Sequence, residues 1–310
     1  MGDFSYWVEF SVLVVVLLAL DLLVFNKKEH EVKIKEALLW SAFWIFLGLA
    51  FGVFVYYIKG QESALQYFSA YFIEKSLSVD NLFVFLMIFT YFKVPGKFQH
   101  RTLFWGIVGA VAMRFLFIFA GIKLIEAFDW VLYLFGVLLI YSGYKIIKEK
   151  DKELHPEKNP IIKAFKKIMP VTDNFVEGKF FTRIDHRLFA TPLFVVLLVI
   201  ESSDIMFAVD SIPAVLAISQ DMFIVYTSNI MAILGLRALY FAMAVVMRYF
   251  KYLNYGLSII LVFVGLKMIL QHFYPISVEF SLIFVGLILA LTMIISVIST
   301  KKDLKKKELD

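Results

Sequence analysis

The chain has 310 residues, 61% of them hydrophobic and 18% charged, with mean hydropathy +0.81 and a formal net charge of +5. Ordinary soluble domains average about 45–50% apolar and about 25% charged residues, so this composition excludes a soluble domain and indicates a polytopic membrane protein. With no cysteine anywhere in the chain, thiolate metal sites, disulfides and redox dithiols are excluded too.

Apolar runs of the length needed to cross a bilayer, about 20 residues, recur nine times: 7–25, 37–58, 64–92, 102–122, 129–147, 188–218, 222–247, 252–271 and 278–299. The expected fold is all-α with about nine transmembrane helices. The start, "MGDFSYWVEF", lacks the basic region of a signal peptide, and no small-residue cleavage site follows, so the first run reads as a helix. Lys and Arg gather in "NKKEHEVKIK", "KVPGKFQHR", the 148–187 connection, "RYFK" and the tail "KKDLKKKELD". The intervening loops hold Lys59, Lys123 and, in "ISQDM", no basic residue. Basic loops stay cytoplasmic, which places the N-terminus outside and the C-terminus in the cytoplasm of an inner (plasma) membrane protein. No basic run outside the membrane is interleaved with stacking aromatics, so nucleic acid is not an expected partner. The five histidines fall in loops or at span ends, where solvated side chains are the default. No GxxxxGK[ST] phosphate loop is present, so the chain has no motif for hydrolysing ATP.

The polar connection 148–187 contains Pro156, Pro160 and Pro170 and a short amphipathic piece, "PIIKAFKKIM". It reads as a cytoplasmic linker whose amphipathic segment rests on anionic lipid, with docking of a protein partner as the alternative. It separates two related halves. "EKSLSVDN" lies over "DIMFAVDS", matching Glu74 to Asp204 and Asp80 to Asp210. Downstream, Arg114 matches Arg237 and Lys145 matches Lys267. The repeat covers three spans per half. Because three is odd, the halves enter the membrane from opposite sides, as in transporters with a midplane site between inverted repeats. The resulting divisions are 1–62 (two N-terminal spans), 63–147 (first repeat), 148–187 (basic linker), 188–272 (second, inverted repeat) and 273–310 (last span and basic tail).

The matched positions are charged. Glu74 and Asp80 lie mid-span in the third run, and Glu201, Asp204 and Asp210 in the sixth. An Asp at a helix centre costs roughly 2.5–3.5 kcal/mol on insertion scales, so five acids cost on the order of 10 kcal/mol unless compensated. Arg114, Arg237 and Lys75 are the available intramembrane cations. Lys145 and Lys267 sit nearer span ends, where long side chains can snorkel. At least two acids are left for protons or a bound cation. At about 100° per residue, acids six apart diverge on an unbroken helix. Convergence within one copy therefore needs local unwinding, which Ser76, Ser78, Asn81, Ser202, Ser203, Ser211 and Pro213 permit. The expected cation ligands are Glu74, Asp80, Asn81, Glu201, Asp204, Asp210 and Ser211, with Arg114 and Arg237 as charge partners. Oxygen donors without thiol or imidazole suit Mn²⁺, Ca²⁺ or Mg²⁺, and the residues do not choose among them. Asn229, mid-span in the seventh run, reads as an interhelical hydrogen bonder in preference to a further ligand.

The segments "FIEKSLSVDNLFVF" and "ESSDIMFAVDSIPA", at this separation and within this hydropathy pattern, resemble the two signatures of the TerC/Alx family, over nearly the whole chain. The family is placed in the LysE transporter superfamily, with members linked to tellurite resistance, manganese efflux or metal supply to exported enzymes. The resemblance implies that Glu74, Asp80, Glu201, Asp204 and Asp210 form the acidic motif, and it adds manganese to the choice of ion. The expectation is a transporter, not an enzyme, with no permanent cofactor, exporting Mn²⁺ in exchange for protons. Two alternatives stand: a non-transporting module supporting tellurite resistance or secretion, and an exporter of a cationic organic solute. Neither oligomeric state nor direction of transport is readable from the residues.

Overall fold

Backbone polar groups in lipid must be satisfied within the structure, which a helix does inside one segment. The computed structural model of the protein is correspondingly helical, and it describes residues 2–25, 34–128, 130–148, 160–184, 186–246, 252–270, 273–274 and 276–307. In chain order the helices are α1 (Gly2–Phe25), α2 (Ile34–Tyr91), α3 (Gly96–Ala127), α4 (Val131–Lys148), α5 (Pro160–Ile168), α6 (Pro192–Leu216), α7 (Met222–Leu234), α8 (Leu236–Val246), α9 (Leu253–Leu270) and α10 (Val278–Lys307). A hairpin of β1 (Phe181–Ile184) and β2 (Arg187–Ala190) precedes α6. Six helices among the described residues are long and apolar enough to cross a membrane, or seven if the bent pair α7 and α8 is one span. Large apolar side chains such as Val15, Leu39, Phe46 and Ile283 point outward, where lipid replaces water as their surroundings.

The longest helix, α2, is interrupted at Gly60, whose φ of 87° lies in the left-handed region. Glycine takes that conformation without a Cβ penalty. Residues 19 apart on a straight helix stand about 28 Å apart, yet the Tyr67 hydroxyl donates to the Gly48 carbonyl at 2.9 Å. The Phe51 and Tyr67 rings also pack at 5.6 Å. The chain therefore doubles back at Gly60. Gly48 admits the Tyr71 ring, which would lie 2.6 Å from a Cβ at that position.

The first repeat expected from sequence holds the second half of α2, then α3 and α4; the second holds α6, the α7–α8 pair and α9. The contacts are reciprocal: α3 packs on α6, α8 packs on α2, and α4 lies antiparallel along α9. That last seam is built from small residues, which let backbones approach closely in lipid. A Cβ on Gly136 would meet the Gly265 carbonyl at 2.9 Å, and one on Gly265 would meet the Gly136 carbonyl at 2.6 Å. Further along, Ser258 donates to the Gly143 carbonyl at 2.6 Å. At the opposite end from the β hairpin, Asp221 caps α7 by accepting from the amides of Phe223 and Ile224, and pairs with Lys59 at 2.6 Å.

The structure departs from the sequence reading in five places. Both acidic signatures are unbroken helix, and three of the serines expected to loosen them bond back to carbonyls one turn earlier without interrupting it: Ser76 to Phe72, and Ser202 and Ser203 to Val199. The break falls instead at Gly235, where α7 and α8 meet at 42°. The 148–187 connection ends in the β hairpin, so the sixth run starts at Pro192 rather than 188. Lys267 does not snorkel; it is buried and donates to Ser281 at 2.9 Å. His100 stacks on Phe241 at 4.1 Å instead of standing free in a loop.

Candidate cation site

The second half of α2 and helix α6 lie side by side, with α3 and α7 across them. This brings Glu74 of α2 and Asp204 of α6, positions matched in the sequence, to the same guanidinium. Arg114 of α3 is fully buried, as is Glu74, and the two form an ion pair. The second terminal nitrogen of Arg114 faces Asp204 Oδ1 at 3.8 Å, close enough for charge attraction and too far for a hydrogen bond. Its first terminal nitrogen donates to Asn229 Oδ1 at 2.6 Å and reaches Ser211 Oγ at 3.4 Å. Asn229 Nδ2 donates in turn to the Val225 carbonyl at 3.0 Å, which orients the amide. Asn229 thus takes the interhelical hydrogen bond favoured for it by position. Ser78, one turn beyond Glu74, donates to Glu74 Oε1 at 3.4 Å.

The polar valence here is incomplete. Glu74 Oε2, Asp204 Oδ2, and Nε and Nη2 of Arg114 are buried with no hydrogen-bond partner among the described residues. Buried polar groups are paired in the great majority of cases, and each exception asks for a reason. Two acceptor oxygens on neighbouring helices, neither accepting a hydrogen bond among the described residues, are an arrangement a cation could use.

The remaining expected residues divide. Asn81 and Ser211 are buried, Ser211 in the cluster and Asn81 further along α2. Glu201 lies against Gly109 of α3, where any side chain at 109 would collide with its carboxylate. Arg237 is buried in α8. The side chains of Asp80 and Asp210 lie outside the described residues, although their backbones are helical. Among the described residues no three His, Cys, Asp or Glu side chains form a group that could hold a metal. Among the described side chains the acids that come together are Glu74 and Asp204, on different helices and on either side of Arg114, with no unwinding of either helix. Sequence reading missed Ser78 as a donor, although its i+4 spacing from Glu74 carries that signal. It also missed Gly109, whose role shows only once α3 and α6 are packed. Lys75, treated as a cation for the acids, donates instead to the Ala232 carbonyl at 2.8 Å, near the end of α7.

The model of the integral membrane protein TerC family matches residues 59–304. The uncharacterized membrane protein STKORF319 of Myxococcus xanthus is 46% identical over 301 residues, covering 97% of this chain and 94% of that protein. Alx of Escherichia coli (strain K12), named as a proposed membrane-bound redox modulator, is 44% identical over 305 residues, covering 96% and 95%. An uncharacterized membrane protein of Rickettsia bellii is 42% identical over 292 residues, covering 94% and 97%. No solved structure matches.

Proposed function

The chain belongs to the TerC family of integral membrane proteins, and from that premise we propose that it is a secondary transporter exporting a divalent cation, Mn²⁺ foremost, in exchange for protons. The observation that carries this reading is the pair Glu74 and Asp204: buried acids at matched positions, each with an oxygen lacking a donor, aimed at one shared cation. Charge inside lipid is costly and marks ion pathways and proton relays. The arginine between the acids offsets one of their two negative charges, leaving one for a proton or a cation. An arriving cation takes over that task, with Arg114 falling back on Asn229 and Ser211. Asp80 and Asp210 complete the proposed ligand set with Glu201, Asn81 and Ser211.

The proposed architecture has nine spans: α1, the two halves of α2, α3, α4, α6, the α7–α8 pair, α9 and α10, with the N-terminus outside. The two three-span repeats are inverted. Support comes from the α4–α9 seam. At the 122-residue offset between Lys145 and Lys267, Gly136 corresponds to Ser258 and Gly143 to Gly265. Gly136 touches Gly265 while Gly143 touches Ser258. Such an exchange of partners is the mark of a two-fold relation. Because the helices run antiparallel, the axis lies in the membrane plane, and matched acids meet near it.

Transport of an organic cation is the weaker reading, since the described neighbours of the acid pair are the small polar side chains of Ser78, Ser211 and Asn229. The name of the E. coli relative raises a redox role; thiols cannot carry one here, because the chain has no cysteine. Measurement of cellular metal content, element by element, tests the reading: manganese falls when the protein is expressed and rises when it is removed. Unchanged manganese alongside a change in another element reassigns the cargo; no change in any element removes the transport function.

A further inference from the structure

The described part of the connection before α6, from residue 160 on, packs as a cap on the helix start. Phe165 of α5 and Phe181 of β1 both pack on Phe194, at 5.2 and 4.5 Å, at the start of α6. The Thr191 hydroxyl donates to the Lys179 carbonyl at 2.6 Å, and Arg101 of α3 lies over the Phe180 ring. The hairpin is thereby fixed at the level where the α3 and α6 spans enter the bilayer. The exposed residues of α5 and of the hairpin tip combine two features that water alone does not favour together. Ile168 is 82% exposed, with Ile184 and Leu188 at 44% and 46%. Across the strand register Ile184 stands beside Arg187 on one face of the tip and Leu188 beside Arg183 on the other; both arginines, and Lys163 and Lys167 of α5, are exposed and have no acidic partner among the described residues. The nearby Lys179 is already paired with Glu177 at 2.7 Å.

We propose that α5 and the β1–β2 hairpin form a platform that binds anionic phospholipid headgroups, with Ile168, Ile184 and Leu188 entering the interface and the four free cations holding phosphate. Apolar side chains set among Lys and Arg beside a span are the pattern of interfacial binding. Charge complementarity selects the occupant: a zwitterionic headgroup offers no net charge to four cations, whereas an anionic surface attracts each one. Since Thr191 leads directly into Pro192, lipid held by the hairpin also fixes the entry of the helix that carries Glu201 and Asp204. The platform stands on its own observations and does not depend on the transport reading.

The test uses the full chain in nanodiscs of phosphatidylcholine, and in discs of phosphatidylcholine mixed equally with phosphatidylglycerol. Hydrogen exchange is followed at the amides of residues 181–190. The platform predicts at least fivefold slower exchange in the anionic discs, about the gain of one cation near such a surface. High salt, which shortens the screening length to about 3 Å at 1 M, should remove the slowing. So should the variant carrying Lys163→Gln, Lys167→Gln, Arg183→Gln and Arg187→Gln. Unchanged exchange in α4 and α9 would confirm that this variant keeps its fold. Equal exchange in both lipids, or slowing that survives in the variant, overturns the proposal. Slowing confined to discs holding two copies assigns the surface to a self-contact and overturns it as well.

Discussion

Replacing Arg114 by methionine removes the one cation shared by Glu74 and Asp204 while keeping much of the side chain's bulk. Glu74 loses its ion pair, Asp204 loses a guanidinium 3.8 Å away, and Asn229 and Ser211 lose a donor. Removing one partner of a buried pair costs about 3–5 kcal/mol, on the order of 5–10 °C in the unfolding midpoint of a chain this size. Two carboxylates on neighbouring helices then lack the cation they shared. A divalent cation can supply the missing charge, and at a concentration 100 times its Kd it returns about 2.7 kcal/mol. Manganese should therefore restore most of the midpoint in the variant. It should shift the parent less, because there the guanidinium competes for the same oxygens. The five tryptophans make intrinsic fluorescence a workable readout of thermal unfolding, with Mn²⁺, Ca²⁺, Mg²⁺ and chelator compared, and Arg114→Lys as the control that keeps the charge. A variant as stable as the parent would mean that Arg114 does not neutralise the acids. A destabilised variant that no divalent cation restores would leave Glu74 and Asp204 as structural partners of Arg114 and nothing more.

Three further outcomes are expected. Asp80→Asn and Asp210→Asn abolish manganese tolerance while the protein remains inserted and abundant; normal tolerance at normal abundance in both removes these acids from the pathway. Gly136→Leu drives a branched side chain into the Gly265 carbonyl and Ile269 and lowers stability by about 1–3 kcal/mol or more through overpacking, seen as an earlier thermal transition, whereas Gly286→Leu, with open space at its Cβ, leaves it unchanged. Single cysteines at residues 155 and 275, introduced into the cysteine-free chain, are labelled from outside the intact cell only at 275; labelling at 155 overturns both the orientation and the inverted repeat.

Much of the fold was legible because lipid imposes a simple rule, and apolar length then marks where the helices lie. The fold-back near Gly60 follows from two runs, 37–58 and 64–92, separated by the polar "KGQES". The acids stand out in the sequence because charge inside an apolar run is expensive, and the proposed repeat is read from charges that recur at fixed spacing. Which acids meet was not legible. Helical phase separates Glu74 from Asp80, and only packing of α2 on α6 reveals that Glu74 meets Asp204. The serines gave the wrong signal, since a hydroxyl that can loosen a helix can equally bond to the carbonyl one turn back. The hairpin was missed because its strands are four residues each, with arginines among their apolar side chains, too short for an alternation to register. The break at Gly235 left only the "GLR" tripeptide as a hint, one that any tolerated helix glycine would also give.

The central claim is exchange of a divalent cation for protons, and its most direct test is flux through the purified protein. Protein in liposomes with a pH-sensitive dye inside is given a manganese gradient, with the membrane potential clamped. Exchange keeps the buried acids near constant charge through the cycle, so manganese movement should be matched by protons moving the opposite way. Both fluxes should be lost in Glu74→Gln and Asp204→Asn. Manganese flux through the parent protein with no accompanying change in pH would contradict the exchange, and absence of any manganese flux would contradict transport of this ion.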